Sequence, residues 1–93
     1  MNISIVIPVY NSSSIIENLT RDILSTIKKT SDINKTQLIL VNDCSTDESW
    51  KKISKLSIEY KEIVIGINLM KNYGQHNAIM AGLKLADGDY IIL

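Results

Sequence analysis

Gln37-Leu38-Ile39-Leu40-Val41-Asn42-Asp43-Cys44-Ser45-Thr46-Asp47 is the stretch that decides the fold. Four consecutive apolar residues, Leu38 to Val41, give way at once to Asn42, Asp43, Ser45, Thr46 and Asp47. A short apolar run closed by turn-forming residues reads as a strand buried on both faces, the kind found in parallel sheets. Open parallel sheets keep their ligands beyond the carboxyl ends of the strands. Asp43 therefore stands where such a sheet would meet a ligand.

Working outward, the same pattern recurs on both sides. Ile3–Ile7 predicts a first strand, which Pro8 should end because it has no N–H for a ladder. Ser14-Ile15-Ile16-Glu17 fits a capping box. The helix that follows runs to about Thr30, with an apolar face of Ile15, Leu19, Ile23 and Ile27 flanked by Ile16 and Leu24. After the central strand, Gln37–Asn42, the run Ser45-Thr46-Asp47-Glu48 offers a second capping box. Trp50, Ile53, Leu56 and Tyr60 then repeat at helical spacing, which places Trp50 and Tyr60 in the core or at its edge. Ile63–Ile67 predicts a third strand, Leu69–Gly74 a loop, Gln75–Ala86 a third helix rich in small residues, and Tyr90–Leu93 a fourth strand. The order β-α-β-α-β-α-β with short loops predicts an α/β fold, an open parallel three-layer sheet with right-handed crossovers.

Totals narrow the function. At 93 residues the chain is one domain at most, able to bury roughly 60–70% of its unfolded surface. Ten acidic residues balance ten basic ones, so charge gives no reason to expect nucleic acid. The single cysteine, Cys44, fits a reducing compartment and reads as a small buried filler. The opening MNISIVIPVY has no basic n-region, and no stretch approaches the ~18 apolar residues of a spanning helix. A cytoplasmic location is expected. His76, the lone histidine, reads as a helix-entry residue rather than a metal ligand. The sequence closes on Ile91-Ile92-Leu93 inside an apolar run, which predicts a partial domain. An edge left open there is expected to invite self-association.

The turn after the first strand, Pro8-Val9-Tyr10-Asn11, carries no glycine, which argues against a dinucleotide fold. No P-loop run exists. Three strand ends instead supply Pro8 and Tyr10, then Asp43, then Lys71-Asn72-Tyr73-Gly74. An aromatic face, a carboxylate and a cation suit a nucleotide: the ring stacks, the carboxylate accepts from a base N–H, and the cation faces phosphate. The residues alone fit a turn or helix-capping role for Asp43 equally well.

Ile5-Val6-Ile7-Pro8-Val9-Tyr10-Asn11, Val41-Asn42-Asp43-Cys44-Ser45-Thr46-Asp47, Asn72-Tyr73-Gly74-Gln75, Ala81-Gly82 and Gly88-Asp89 together resemble the start of a family 2 glycosyltransferase of the GT-A fold. The run Asn72 to Gly82 is similar to the polyprenyl-phosphate subgroup, which includes the dolichol-phosphate and undecaprenyl-phosphate enzymes. The resemblance implies the N-terminal nucleotide-binding half of a GT-A fold, with an acceptor half to follow. It implies a nucleotide-sugar partner, a UDP-sugar first, and a lipid phosphate among the acceptors. Pro8 and Tyr10 would border the base, Asp43 would accept from its N–H, and Lys71, Asn72 and Gly74 would belong to the nucleotide-binding loop, with Lys71 and Asn72 near the base or diphosphate. Asp89 is expected to be structural. A divalent cation, Mg or Mn, is expected in the full-length enzyme, held by an Asp-x-Asp motif that would begin where this chain stops. No catalytic residue is therefore assigned, and catalysis is expected of the parent protein, associated with the cytoplasmic face of a membrane. Two serines, Ser12 and Ser13, stand where the family usually has one or two acids. A non-catalytic nucleotide-binding or structural module is the alternative that keeps the same sheet.

Overall fold

The computed structural model of the chain describes residues 3–30, 36–44, 46–69 and 90–92. Four strands, β1 (Ile3–Val9), β2 (Thr36–Asp43), β3 (Val64–Leu69) and β4 (Tyr90–Ile92), form one sheet in the order β3-β2-β1-β4. All three pairings are parallel. Helices α1 (Ile16–Thr30) and α2 (Ser49–Glu59) make the first two crossovers. This is the parallel α/β alternation expected; the third predicted helix, Gln75–Ala86, lies outside the described residues.

β2 is the spine of the sheet. It is hydrogen-bonded on both sides, and Leu38, Ile39, Leu40 and Val41 are wholly buried. Because side chains alternate across a strand, Leu38 and Leu40 face one way and join Val9, Ile16, Leu24, Ile53, Leu56 and Val64 in the larger core cluster. Ile39 and Val41 face the other way and pack with Val6, flanked by Ile65, Ile67 and Leu69. Both α1 and α2 contribute to the first cluster, so they share that face. Trp50 and Tyr60 are partly buried against it, as their spacing predicted.

α2 lies close to the sheet at Gly66. A methyl group there would stand 2.8 Å from Ile53 Cγ2 and 3.2 Å from Trp50 Cζ3. Glycine at this position is therefore a spacing requirement of the α2–β3 contact.

Several boundaries differ from those the sequence predicts. β1 continues through Pro8 to Val9 instead of ending at Ile7. Pro8 keeps its register with Val41 of β2, and the described pairing with β4 covers Ile3 to Ile5. β2 takes in Asp43 as its last residue, where the strand was expected to stop at Asn42. β3 is shifted to Val64–Leu69.

α1 begins at Ile16, after a turn in which the Ser12 carbonyl accepts from the N–H groups of Ile15 and Ile16. Its buried stripe is Ile16, Thr20 and Leu24; Ile15 is 56% exposed and Leu19 40%, with Ile23 and Ile27 half-buried. The expected face was therefore off by one residue, about 100° around the helix.

Candidate nucleotide site

The parallel register sets Val9 beside Asn42, Asn42 beside Asn68 and Asp43 beside Leu69, so three strands end at one level. Asn42 Nδ2 donates to Asn68 Oδ1 at 2.8 Å and ties the ends of β2 and β3 together. Between β1 and β4 the order of strands reverses, and an open sheet offers its ligand crevice at such a point, beyond the carboxyl ends.

Two of the strand ends bring predicted site residues to this edge. Pro8 and Tyr10 come from β1, with Pro8 in the strand and Tyr10 in the bend just after it, 51% exposed. Asp43 comes from β2 and is 5% exposed. Lys71, Asn72 and Gly74, expected from the third strand end, lie outside the described residues, as do His76 and Asp89.

The backbone turns sharply as it leaves both strands. Asn11 has φ 46° and Cys44 has φ 54°, both left-handed. Asparagine tolerates this conformation, whereas a cysteine is strained by it. Each chain thus swings away from the edge within two residues of its strand, leaving Tyr10 and Asp43 at the rim.

The two departing loops are hydrogen-bonded to each other, a feature the sequence did not disclose. Thr46 N–H donates to Asn11 Oδ1 at 2.8 Å, and the Thr46 hydroxyl reaches the same oxygen at 3.3 Å. Ser12 N–H donates to Ser49 Oγ at 2.9 Å. Ser13 N–H donates to Asp47 Oδ2 at 3.1 Å, while Asp47 Oδ1 accepts from Ser49 N–H at 2.9 Å. Lys52 Nζ donates to the Ser13 carbonyl at 2.6 Å. The expected capping box at Ser45–Glu48 gives way to this arrangement. α2 starts at Ser49, Glu48 supplies no side-chain cap bond, and Asp47 caps Ser49 while also holding the other loop. Residues of the turn-forming type were visible at both places, but their pairing across 34 or more positions was not.

The Ser49 hydroxyl, hydrogen-bonded to the Asp47 carboxyl, is the largest cause holding that carboxyl well below the usual carboxylate range. Partial desolvation opposes it, and the N–H groups of Ser49 and then Ser13 add to the lowering. Asp47 is therefore ionised at neutral pH. Ser12 and Ser13, which stand where acids were expected, give their N–H groups to this staple.

Among the described residues no three His, Cys, Asp or Glu side chains lie together, so a donor set that would fit a divalent cation is not found among them. No helix of the described residues is long and apolar enough to cross a membrane.

Comparison with known proteins agrees with this architecture. The model of the family described as glycosyl transferase family 2 matches residues 4–93. The chain is 44% identical over 91 residues to the undecaprenyl-phosphate 4-deoxy-4-formamido-L-arabinose transferase of Proteus mirabilis, covering 97% of this chain and 27% of that protein. It thus spans about a quarter of the length of the curated relatives it matches. Among solved structures it is similar to TarS of S. aureus, residues 1–349, in complex with UDP-GlcNAc. There the TM-score is 0.80 and the identity 25%, over 98% of this chain and 25% of the other. It also shares its fold with the mannosyltransferase PcManGT of Pyrobaculum calidifontis, solved with GDP-Man and Mn2+, at TM-score 0.84 and 18% identity, over 97% of this chain and 26% of that one.

Proposed function

Because this chain belongs to glycosyl transferase family 2 and folds as the N-terminal, nucleotide-binding part of a GT-A glycosyltransferase, we propose that it binds the nucleotide of a UDP-sugar at the rim formed by Tyr10 and Asp43. The observation that carries this reading is the arrival of an exposed aromatic ring and a strand-end carboxylate from neighbouring strands at one sheet edge. The Asp43 carboxylate accepts from the N3–H of uracil, and the Tyr10 ring provides an apolar face for the base. A hydrogen bond to a charged acceptor contributes about 1.5–3 kcal/mol and selects bases that carry a donor there. Pro8 lines the backbone beside the base, and Lys71, Asn72 and Gly74 complete the nucleotide contacts from the third strand end.

The structure of TarS with UDP-GlcNAc supports a uridine donor, at 25% identity. The names of the curated relatives support a polyprenyl phosphate as acceptor. In the full-length enzyme the sugar moves from the nucleotide to that acceptor, close to a membrane surface, and the acceptor half lies outside the present chain. A divalent cation, of the kind present as Mn2+ in the mannosyltransferase, would offset the charge of the diphosphate in the full-length enzyme. No described residue is assigned to hold it.

Calorimetric titration of UDP against the wild-type chain and Asp43→Ala tests the reading. A tenfold or larger loss of affinity in the variant is expected, in line with about 1.4 kcal/mol per decade. Equal heats for the two proteins would remove Asp43 from the site.

A further inference from the structure

We propose that Asp47 is the positioning residue of the nucleotide site: its carboxylate bridges the loop after β1 to the loop after β2 and so fixes Tyr10 relative to Asp43. The proposal rests on the reading of the Tyr10–Asp43 rim as a nucleotide site.

Beyond their strands the two loops are tied to each other. Each leaves the sheet through a left-handed residue, Asn11 on one side and Cys44 on the other. A loop released from such a turn has no ladder bonds to restore its direction. What restores it here is the other loop. Asp47 accepts Ser13 N–H with one oxygen and Ser49 N–H with the other, so a single carboxylate joins the approach to α1 to the first residue of α2. Lys52, one turn further along α2, takes the carbonyl of the same residue, Ser13. The Ser13 residue is thus gripped at both its polar backbone groups by side chains from the β2–α2 side. Ser49 Oγ accepts from Ser12 N–H and lies beside the Asp47 carboxylate, which extends the grip one residue nearer to Tyr10. Ser12 Oγ in turn donates to the Tyr10 carbonyl at 3.0 Å, so the chain of bonds ends on the aromatic residue of the rim.

α2 is itself immobilised on the sheet through the buried Ile53 and Leu56. Asp47 therefore transmits the position of a rigid element to the loop after β1. A carboxylate suits this task because each oxygen accepts a separate charge-assisted bond, stronger than its neutral equivalent. An asparagine keeps one acceptor oxygen and presents a donor to the other N–H, so it restores only half of the bridge.

The test combines two measurements on the wild-type chain, Asp47→Ala, Asp47→Asn and Arg21→Ala. Arg21 pairs with Glu59 at 2.7 Å and ties α1 to α2 far from the loops, so its variant reports a general loosening of the two helices. UDP titration is expected to show at least a tenfold weaker Kd for Asp47→Ala, an intermediate value for Asp47→Asn, and a value within twofold of wild type for Arg21→Ala. Amide hydrogen exchange is expected to quicken at least tenfold at Thr46 in Asp47→Ala, although the Thr46 acceptor, Asn11, is untouched by the substitution. Wild-type affinity in Asp47→Ala, an equal loss in Arg21→Ala, or unchanged exchange at Thr46 would each overturn the proposal while leaving the nucleotide reading in place. Failure of the wild-type chain to bind UDP would overturn both.

Discussion

Thr20 shows how little of a residue's role is contained in its type. It sits mid-helix at 1% exposure, and its hydroxyl has no hydrogen-bond partner among the described residues. A buried polar atom left unpaired costs about 1–3 kcal/mol. Thr20→Val keeps the shape, removes the hydroxyl and is close to neutral in helix propensity. It is expected to raise stability by about 1 kcal/mol, read as a higher urea midpoint with unchanged slope. Asp47 is the opposite case. It lies inside the expected Ser45–Glu48 capping box without being one of its partners, yet the fold makes it the acceptor for Ser49 and gives it a second partner in another loop. Asp43 lies between the two. Its type and position pointed to the sheet edge, and it is indeed a strand-end residue there, but one that belongs to the strand instead of the turn.

Among the elements, the contact of α2 with β3 has the least room. Ile53 is fully buried and Trp50 half-buried above Gly66, with less than a methyl group's clearance. Gly66→Ala is expected to destabilise the chain by about 1–3 kcal/mol, the usual cost of overpacking a filled core. Chemical denaturation followed by Trp50 fluorescence measures both the loss and the displacement of the indole. A smaller effect would mean that α2 can lift from the sheet without penalty. The strands were legible in the sequence because a doubly buried strand must be continuously apolar, and Leu38–Val41 allows no other reading. Their ends were less so. Pro8 looks like a stop, yet β1 runs through it to Val9 in register with β2.

For the molecule as a whole, the pH dependence of stability should carry the signature of its inter-loop and inter-helix bonds. Asp47 and Glu59 both have carboxyls held below their ordinary values of 3.8 and 4.5, Asp47 chiefly by the Ser49 hydroxyl and Glu59 chiefly by the Arg21 guanidinium. A carboxyl depressed by folding contributes stability that is complete above its unfolded pKa and is lost as pH falls through its folded value. Stability from these two groups should therefore be constant from neutrality down to about pH 5 and decline steadily below about pH 4. Urea unfolding at pH 7 and pH 3 measures this. Asp47→Ala should show a smaller drop between the two, and an equal drop would show that the bridge contributes nothing to folding. The global architecture followed from the alternation of apolar runs and helical spacing. The site followed only in part: Tyr10 and Asp43 could be placed at strand ends, whereas Asn11, Ser13, Ser49 and Lys52 acquire their roles from bonds that span 34 to 39 positions. Long-range pairing of exposed polar groups leaves no periodic trace in a sequence.

α1 buries a stripe of Ile16, Thr20 and Leu24 and turns two further apolar residues, Ile15 and Leu19, outward. The inward stripe sits in the main core cluster through Ile16 and Leu24, and that azimuth is reinforced by tethers. The approach to α1 is pinned at Ser12 and Ser13 by α2, and its flank is pinned at Arg21 by Glu59 and Tyr60. Core packing and tethers thus fix different degrees of freedom: the first holds the helix on the sheet, the second sets its seat against α2.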